Sequence, residues 1–363
     1  MIWVLGFGAL LLVAVVQVLH LAVVLTWGDQ ATNGLGYFGR TASERVQFHK
    51  TIRLHALLLR PILFVLSRFS PLQMSKASFT YQGLAGPNGT CGVESFAQAH
   101  AYHARSEDVF VATQMKSGTT WMQHLVYQVL NRGRGGLVES GTALYAVSPW
   151  LESKKGVGVG EAPLVGLERP SRIIKTHLPA VRCPYDAQAR YIYVVRHPVS
   201  CFASCADFIA DNAGPFVPPL ADIEAWFCSN EQMWWGPWPR HVLGWWEMSR
   251  AHDNVLFVSF ENMKRNLRKV TVTVADFLAV APLDADEIAS VLGKCSFDYM
   301  RTHTGTFEMF PPHILAGQSD LFRRGSAERF RDVPNATRQR IHEWCADSLR
   351  DSAFSLSKVF PDF

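Results

Sequence analysis

Four short runs rich in β-branched and aromatic residues, at 109–113, 172–176, 191–195 and 255–260, recur along the chain with helical segments between them. Each is a short apolar run, with Arg172 and Lys175 as exceptions in the second, as a strand covered on both faces is, and too short for a buried helix. Segment 121–130 places its apolar positions on one helical face, and 262–278 does the same after a candidate cap at Asn262. Strands alternating with helices imply an α/β fold in three layers, with a central, mostly parallel sheet whose ligands gather at the carboxyl ends of the strands. With 363 residues, 48% of them hydrophobic, the chain can build one large domain and an addition at an end. We place that domain at 101–363. The net charge of +4 is spread along the chain, which argues against nucleic acid as a partner. The seven cysteines include no CxxC pair and no zinc spacing, so buried, reduced thiols are expected and no metal.

Residues 1–27 carry no Lys, Arg, Asp or Glu. At helical rise that length crosses a bilayer core of about 30 Å, so a transmembrane helix is expected there. Arg40, Arg45, Lys50, Arg53 and Arg60 follow it, which by the positive-inside rule implies a single-pass membrane protein with a cytoplasmic catalytic domain. Residues 28–100 read as a linker. Within it 46–69 mixes cations with leucines and suits a helix lying on the membrane surface, with a buried helix or a second span as alternatives.

Three segments carry chemistry. In Thr113-Gln-Met-Lys-Ser-Gly-Thr-Thr-Trp121 a strand gives way to a helix, so the amides of Ser117, Gly118, Thr119 and Thr120 converge where the helix N-terminus is partly positive. Lys116 adds a full charge and the hydroxyls add donors, making an anion cradle. A Walker A loop has a leading glycine and a lysine after the second one, and this loop has neither. In Arg172-Ile-Ile-Lys-Thr-His-Leu-Pro179 a strand ends with Lys175 and His177 on one side, a base near neutral pH beside a cation. In the segment from Tyr191 to Ser204, Arg196 ends a strand, Pro198 opens a helix and Ser204 lies about two turns along it, so Arg196 can clamp a phosphate while Ser204 donates from the side.

These three segments, in this order, resemble the sulfotransferases that use 3'-phosphoadenosine 5'-phosphosulfate (PAPS), and the stretch from about Asp108 to about Arg331 is similar to their cytosolic small-molecule branch. Further matching pieces are His241-Val-Leu-Gly-Trp-Trp246, the run from Val255 to Lys264, Ser296-Phe-Asp-Tyr-Met300 and Phe322-Arg-Arg-Gly325. The resemblance implies a P-loop-like fold and a reaction that leaves 3',5'-ADP without a metal. Lys116 and the residues after it would hold the 5'-phosphosulfate and Trp121 would stack on the adenine. Arg196, Ser204, Phe322, Arg323, Arg324 and Gly325 would hold the 3'-phosphate, and Phe260, Ser296, Phe297 and Met300 would complete the nucleotide pocket. His177 would be the base, with Lys175 near the transferring group. The chain departs from the family pattern at Met115, where proline is usual, at Phe260, where tyrosine is usual, and at Glu328-Arg-Phe330, where Gly-Asp-Trp is usual. The family's C-terminal dimer motif is not recognisable, which leaves the oligomeric state open.

Phe202, Phe208, Phe216, Trp226, Trp234, Trp235 and Trp238 give the region after the Arg196 segment an apolar character. With the leader, this points to a hydroxyl or amine on a hydrophobic small molecule or lipid as acceptor, and to the membrane as a partner. The alternatives are a lumenal Golgi carbohydrate sulfotransferase, with which the sequons at Asn88 and Asn335 are compatible, a P-loop kinase, and an inactive membrane scaffold.

Overall fold

A computed structural model describes residues 13–19, 33–315 and 329–360. Most of the expected leader span 1–27 lies outside the described residues; only the helical seven at 13–19 are seen. No helix among the described residues is long and apolar enough to cross a membrane. This overturns the single-pass membrane placement with a cytoplasmic catalytic domain, and the reading of 46–69 as a second span.

Residues expected to form a linker instead build structure. Helix α1 (Ala42–Phe69) starts at a capping box. Glu44 N–H donates to Thr41 Oγ1 (3.3 Å) and Thr41 N–H donates to Glu44 Oε2 (2.8 Å), so two orphan donors of the first turn are satisfied. Phe48, Ile52, Leu59 and Leu63 recur at helical spacing and are buried. Buried Arg45 donates to the carbonyls of Arg40 (2.7 Å) and Gly141 (3.0 Å), tying the helix to the main body. An antiparallel hairpin, β1 (Ser78–Tyr81) and β2 (Leu84–Pro87), and helix α2 (Val93–Ala101) follow.

The central sheet region begins with β3 (Asp108–Thr113), α3 (Thr119–Leu130), β4 (Arg172–Thr176), β5 (Arg190–Val195) and α4 (Pro198–Ala213). After α5 (Leu220–Phe227) and α6 (Trp238–Ala251), strand β6 (Val255–Ser259) completes a four-stranded sheet of order β4-β3-β5-β6, parallel at every pairing. Then come α7 (Phe260–Arg265), α8 (Leu267–Phe277), α9 (Ala285–Lys294), α10 (Phe297–Thr302), α11 (Thr304–Phe307) and α12 (Asn335–Leu349). The helix expected over 262–278 is two helices. Ser259, not Asn262, caps α7, and Asn266 caps α8 by accepting from Lys269 N–H (2.9 Å).

Alternation along the strands divides the core in two. Val109, Val111, Ile192 and Val194 pack against Met122 and Leu125 of α3 and Val274 of α8. Phe110, Tyr191 and Tyr193 face the other way, against Phe202 of α4 and Trp245 of α6. Phe110 stacks on Tyr191 at 4.8 Å and Tyr193 on Trp245 at 5.4 Å. Sequence order and spatial order diverge around β3, so the carboxyl ends of β4, β3 and β5 open on one crevice.

Candidate active site

The loop from β3 to α3 makes a tight approach to its surroundings. Gly118, the N-cap of α3, takes φ +99°, and a Cβ built there would lie 2.7 Å from the Phe260 ring, so only glycine fits. Lys116 is also left-handed, at φ +63°. Gln114 holds the loop from behind. Its side-chain amide donates to the carbonyls of Trp234 (3.2 Å) and Gly236 (2.6 Å), and its oxygen accepts from Met115 N–H (2.6 Å). Ser117, Thr119 and Thr120 are buried at the helix start. The Lys116 ammonium lies 4.7 Å from the centre of the Phe208 ring. Burial pushes it down to about 8, Arg196 adds to the shift, and Asp211 opposes it.

On the neighbouring strand, residues 149–151 run beside β4. Lys175 N–H donates to Pro149 O (2.8 Å) and Leu151 N–H to Lys175 O (2.9 Å). That pairing brings Trp150 and Glu152 to the strand end. Glu152 accepts from His177 N–H (2.7 Å) and Thr176 Oγ1–H (2.9 Å), fixing the backbone that carries the histidine. His177 Nδ1 lies 2.9 Å from Thr113 O; a carbonyl only accepts, so Nδ1 carries the proton and Nε2 the lone pair. His241 Nε2 in turn donates to His177 O (2.9 Å) and its Nδ1 accepts from Tyr193 O–H (2.9 Å). Burial first, then the Lys175 ammonium, holds the His177 imidazole well below its usual range, so it is neutral at physiological pH.

Lys175 itself is fully buried. Its ammonium donates to Tyr145 Oη (3.1 Å) and sits 3.4 Å from the centre of the Trp150 ring, whose edge meets His177 at 5.2 Å between centroids. Burial pushes Lys175 down and Glu152 up, with the attraction of Glu152 opposing the first shift. The Trp150 ring thus stands against both Lys175 and His177.

At the end of β5, Arg196 reaches back to the loop. Its Nη1–H donates to Lys116 O (2.9 Å) and its guanidinium stacks 4.5 Å from the Phe260 ring. Trp121 meets the same ring at 5.7 Å, so Phe260 stands among Gly118, Arg196 and Trp121. Ser204 is half-buried on α4. Trp121 Nε1–H donates to Cys295 O (2.8 Å) and its ring packs on the cluster containing buried Met300, which brings the α10 segment to the loop. Ser296 instead caps α10, accepting from Tyr299 N–H (3.2 Å), and half-buried Phe297 carries the Arg301 guanidinium at 5.5 Å. Phe322, Arg323, Arg324 and Gly325 lie outside the described residues. Among the described residues no His, Cys, Asp and Glu cluster is arranged to hold a metal, and all seven thiols are free.

Sequence reasoning missed Gln114 and Glu152. Gln114 lay inside the first motif, but its partners are more than a hundred residues away. Glu152 lay in no motif.

Residues 106–353, more than half of the chain, match the family described as "Sulfotransferase domain". The human protein "Sulfotransferase 2B1" is 28% identical over 257 residues, 68% of this chain and 67% of its own length. A "3-alpha-hydroxysteroid sulfotransferase" of Cavia porcellus is 29% identical over 227 residues, 61% of this chain and 76% of its own. A crystal structure of retinol dehydratase with androsterone and the inactive cofactor PAP shares the fold, with TM-score 0.62 and 18% identity over 78% of this chain and 95% of that one. The extent of the family match settles the assignment: the chain belongs to the sulfotransferase family and is a PAPS-dependent sulfotransferase.

Proposed function

We propose that His177 is the general base of a sulfuryl transfer from PAPS to the hydroxyl, or amine, of a hydrophobic or amphipathic small molecule. One observation carries this reading: Nδ1 is committed to Thr113 O, so a neutral imidazole keeps Nε2 as its basic nitrogen at the mouth of the crevice that also receives Lys116. PAPS supplies the activated sulfuryl group and a phosphate oxygen that departs as an anion. Gly118 at the left-handed N-cap of α3 suits a phosphate cradle, because the backbone amides of the helix start can face an anion there. Lys116, Ser117, Gly118, Thr119 and Thr120 would hold the phosphosulfate end. Trp121, Phe260, Ser296, Phe297 and Met300 would form the nucleotide pocket, and Arg196 with Ser204 would hold the 3'-phosphate.

The residues then have distinct tasks. His177 Nε2 takes the acceptor proton as the acceptor oxygen attacks, and Lys116 stabilises the charge that develops on the leaving oxygen. Glu152 fixes the backbone that carries the imidazole, and the Lys175 charge opposes its protonation. The steroid-directed relative and the androsterone-bound neighbour support an apolar alcohol as acceptor, as does the aromatic wall running from Phe208 through Phe310 (5.6 Å) and Trp150 (6.0 Å) to His177. Transfer of radiolabelled sulfate from PAPS to phenols, sterols and aliphatic alcohols tests the reading. His177→Ala is expected to lower kcat by roughly two to four orders of magnitude with PAPS binding retained, and near-normal turnover would remove the base assignment.

A further inference from the structure

We infer that Lys76 marks the far end of the acceptor site and selects an amphipathic alcohol that ends in an anionic group. This rests on the transferase reading above and extends it to acceptor class. A cavity of about 460 Å³ lies between residues 70–76 and helix α4, a volume within the usual range for a small-molecule site. Phe208 lines it and also carries the Lys116 ammonium, so the cavity adjoins the reacting end. Leu72, Met74, Ile209, Phe216 and Trp234 make most of the remaining wall apolar.

The polar lining is sparse and partly committed. Asn212 donates to Phe208 O (2.7 Å), and its side-chain oxygen faces His313 Nε2 (3.3 Å). Lys76 is the one charged side chain among the described residues that line the cavity, and no ion pair to it is found among them. The segment that carries it is fixed to the main body. Leu72 N–H donates to Phe216 O (2.9 Å), Trp234 Nε1–H donates to Ser78 Oγ (2.7 Å), and Lys76 N–H closes a turn on Gln73 O (3.0 Å). It also lies ahead of the stretch 106–353 that matches the family, so this end of the cavity is built by the N-terminal part of the chain. An apolar body in the cavity with a carboxylate or sulfonate at its end gains a charge-assisted hydrogen bond from Lys76. Its hydroxyl points toward Lys116 and His177.

The test compares kcat/KM for an ω-hydroxy fatty acid and its methyl ester, using the full chain and PAPS. The wild type is expected to favour the acid by roughly 2- to 5-fold, as an ion pair to the exposed Lys76 allows. Lys76→Ala should bring the ratio to about one and Lys76→Glu should invert it, while ester turnover stays within about twofold and reports intact folding. Equal use of acid and ester by the wild type, or a preference that survives Lys76→Ala, overturns the role of Lys76 and leaves the transferase reading standing. Absence of label in acid and ester alike, with phenols or sterols labelled, overturns the acceptor class inferred here; absence of label in every acceptor overturns the reading in which His177 and Lys116 transfer sulfate to an apolar alcohol.

Discussion

Lys116 combines two costs. Its backbone is left-handed, worth about 1–3 kcal/mol of strain, and burial draws its ammonium down to about 8. Gln114 and Arg196 hold it there through bonds to the loop backbone. The sign of the pH effect follows. The lysine is charged below about pH 8 and loses its proton as pH rises through that value, so kcat/KM for PAPS should fall on the alkaline side. Lys116→Arg, whose guanidinium stays protonated, should lose that limb whatever its residual rate; an unchanged limb in the variant would assign it to another group. Lys116, His177 and Arg196 stood out in the sequence because each follows closely on a strand and bears a titratable or charged group. Gln114 and Glu152 were not legible, because their work is done by accepting and donating to backbone groups that only the fold brings near.

The same contrast holds for elements. The strands were visible as apolar runs, and Pro198 marked the start of α4. The break between α7 and α8 was not, since Ser259, Asn262 and Asn266 can all cap and only the turn after β6 selects among them. The close packing of α3 on α7 was hidden for the same reason, as Gly118 and Phe260 are far apart in the chain. Gly118→Ala should weaken PAPS binding, because it meets both the Phe260 ring at 2.7 Å and a left-handed backbone that costs about 1–2 kcal/mol. Adding Phe260→Ala should not restore binding, since the backbone cost persists and Arg196 loses its stacking partner. Titration with 3',5'-ADP checks both, and full recovery in the double variant would show that the clash alone mattered.

At the scale of the molecule, a polar cluster ties the N-terminal part to the wall of the site. Tyr37 O–H donates to Glu308 Oε2 (2.5 Å) and faces His49 Nε2 (2.9 Å), while His49 lies 2.7 Å from Glu308 Oε1. Two residues on, Phe310 packs against Phe208 and Trp150. Tyr37→Phe should lower stability by about 1–3 kcal/mol and raise acceptor KM several-fold with little change in PAPS affinity; a melting curve and the two KM values decide it. None of this was legible in residues 28–100, where cations among leucines pointed to a membrane surface. Phe48, Ile52, Leu59 and Leu63 of that stretch pack into the core, while Leu54, Leu57, Leu58, Phe64 and Val65 stay exposed. The bond from Leu72 to Phe216 has a consequence for how such an enzyme changes. With Lys76 at the far end of the acceptor site, the strap 70–78, bonded to the main body at Leu72 and Ser78, sets part of what is sulfated, so a new acceptor taste can be acquired by rewriting the strap while the nucleotide loops keep their wording.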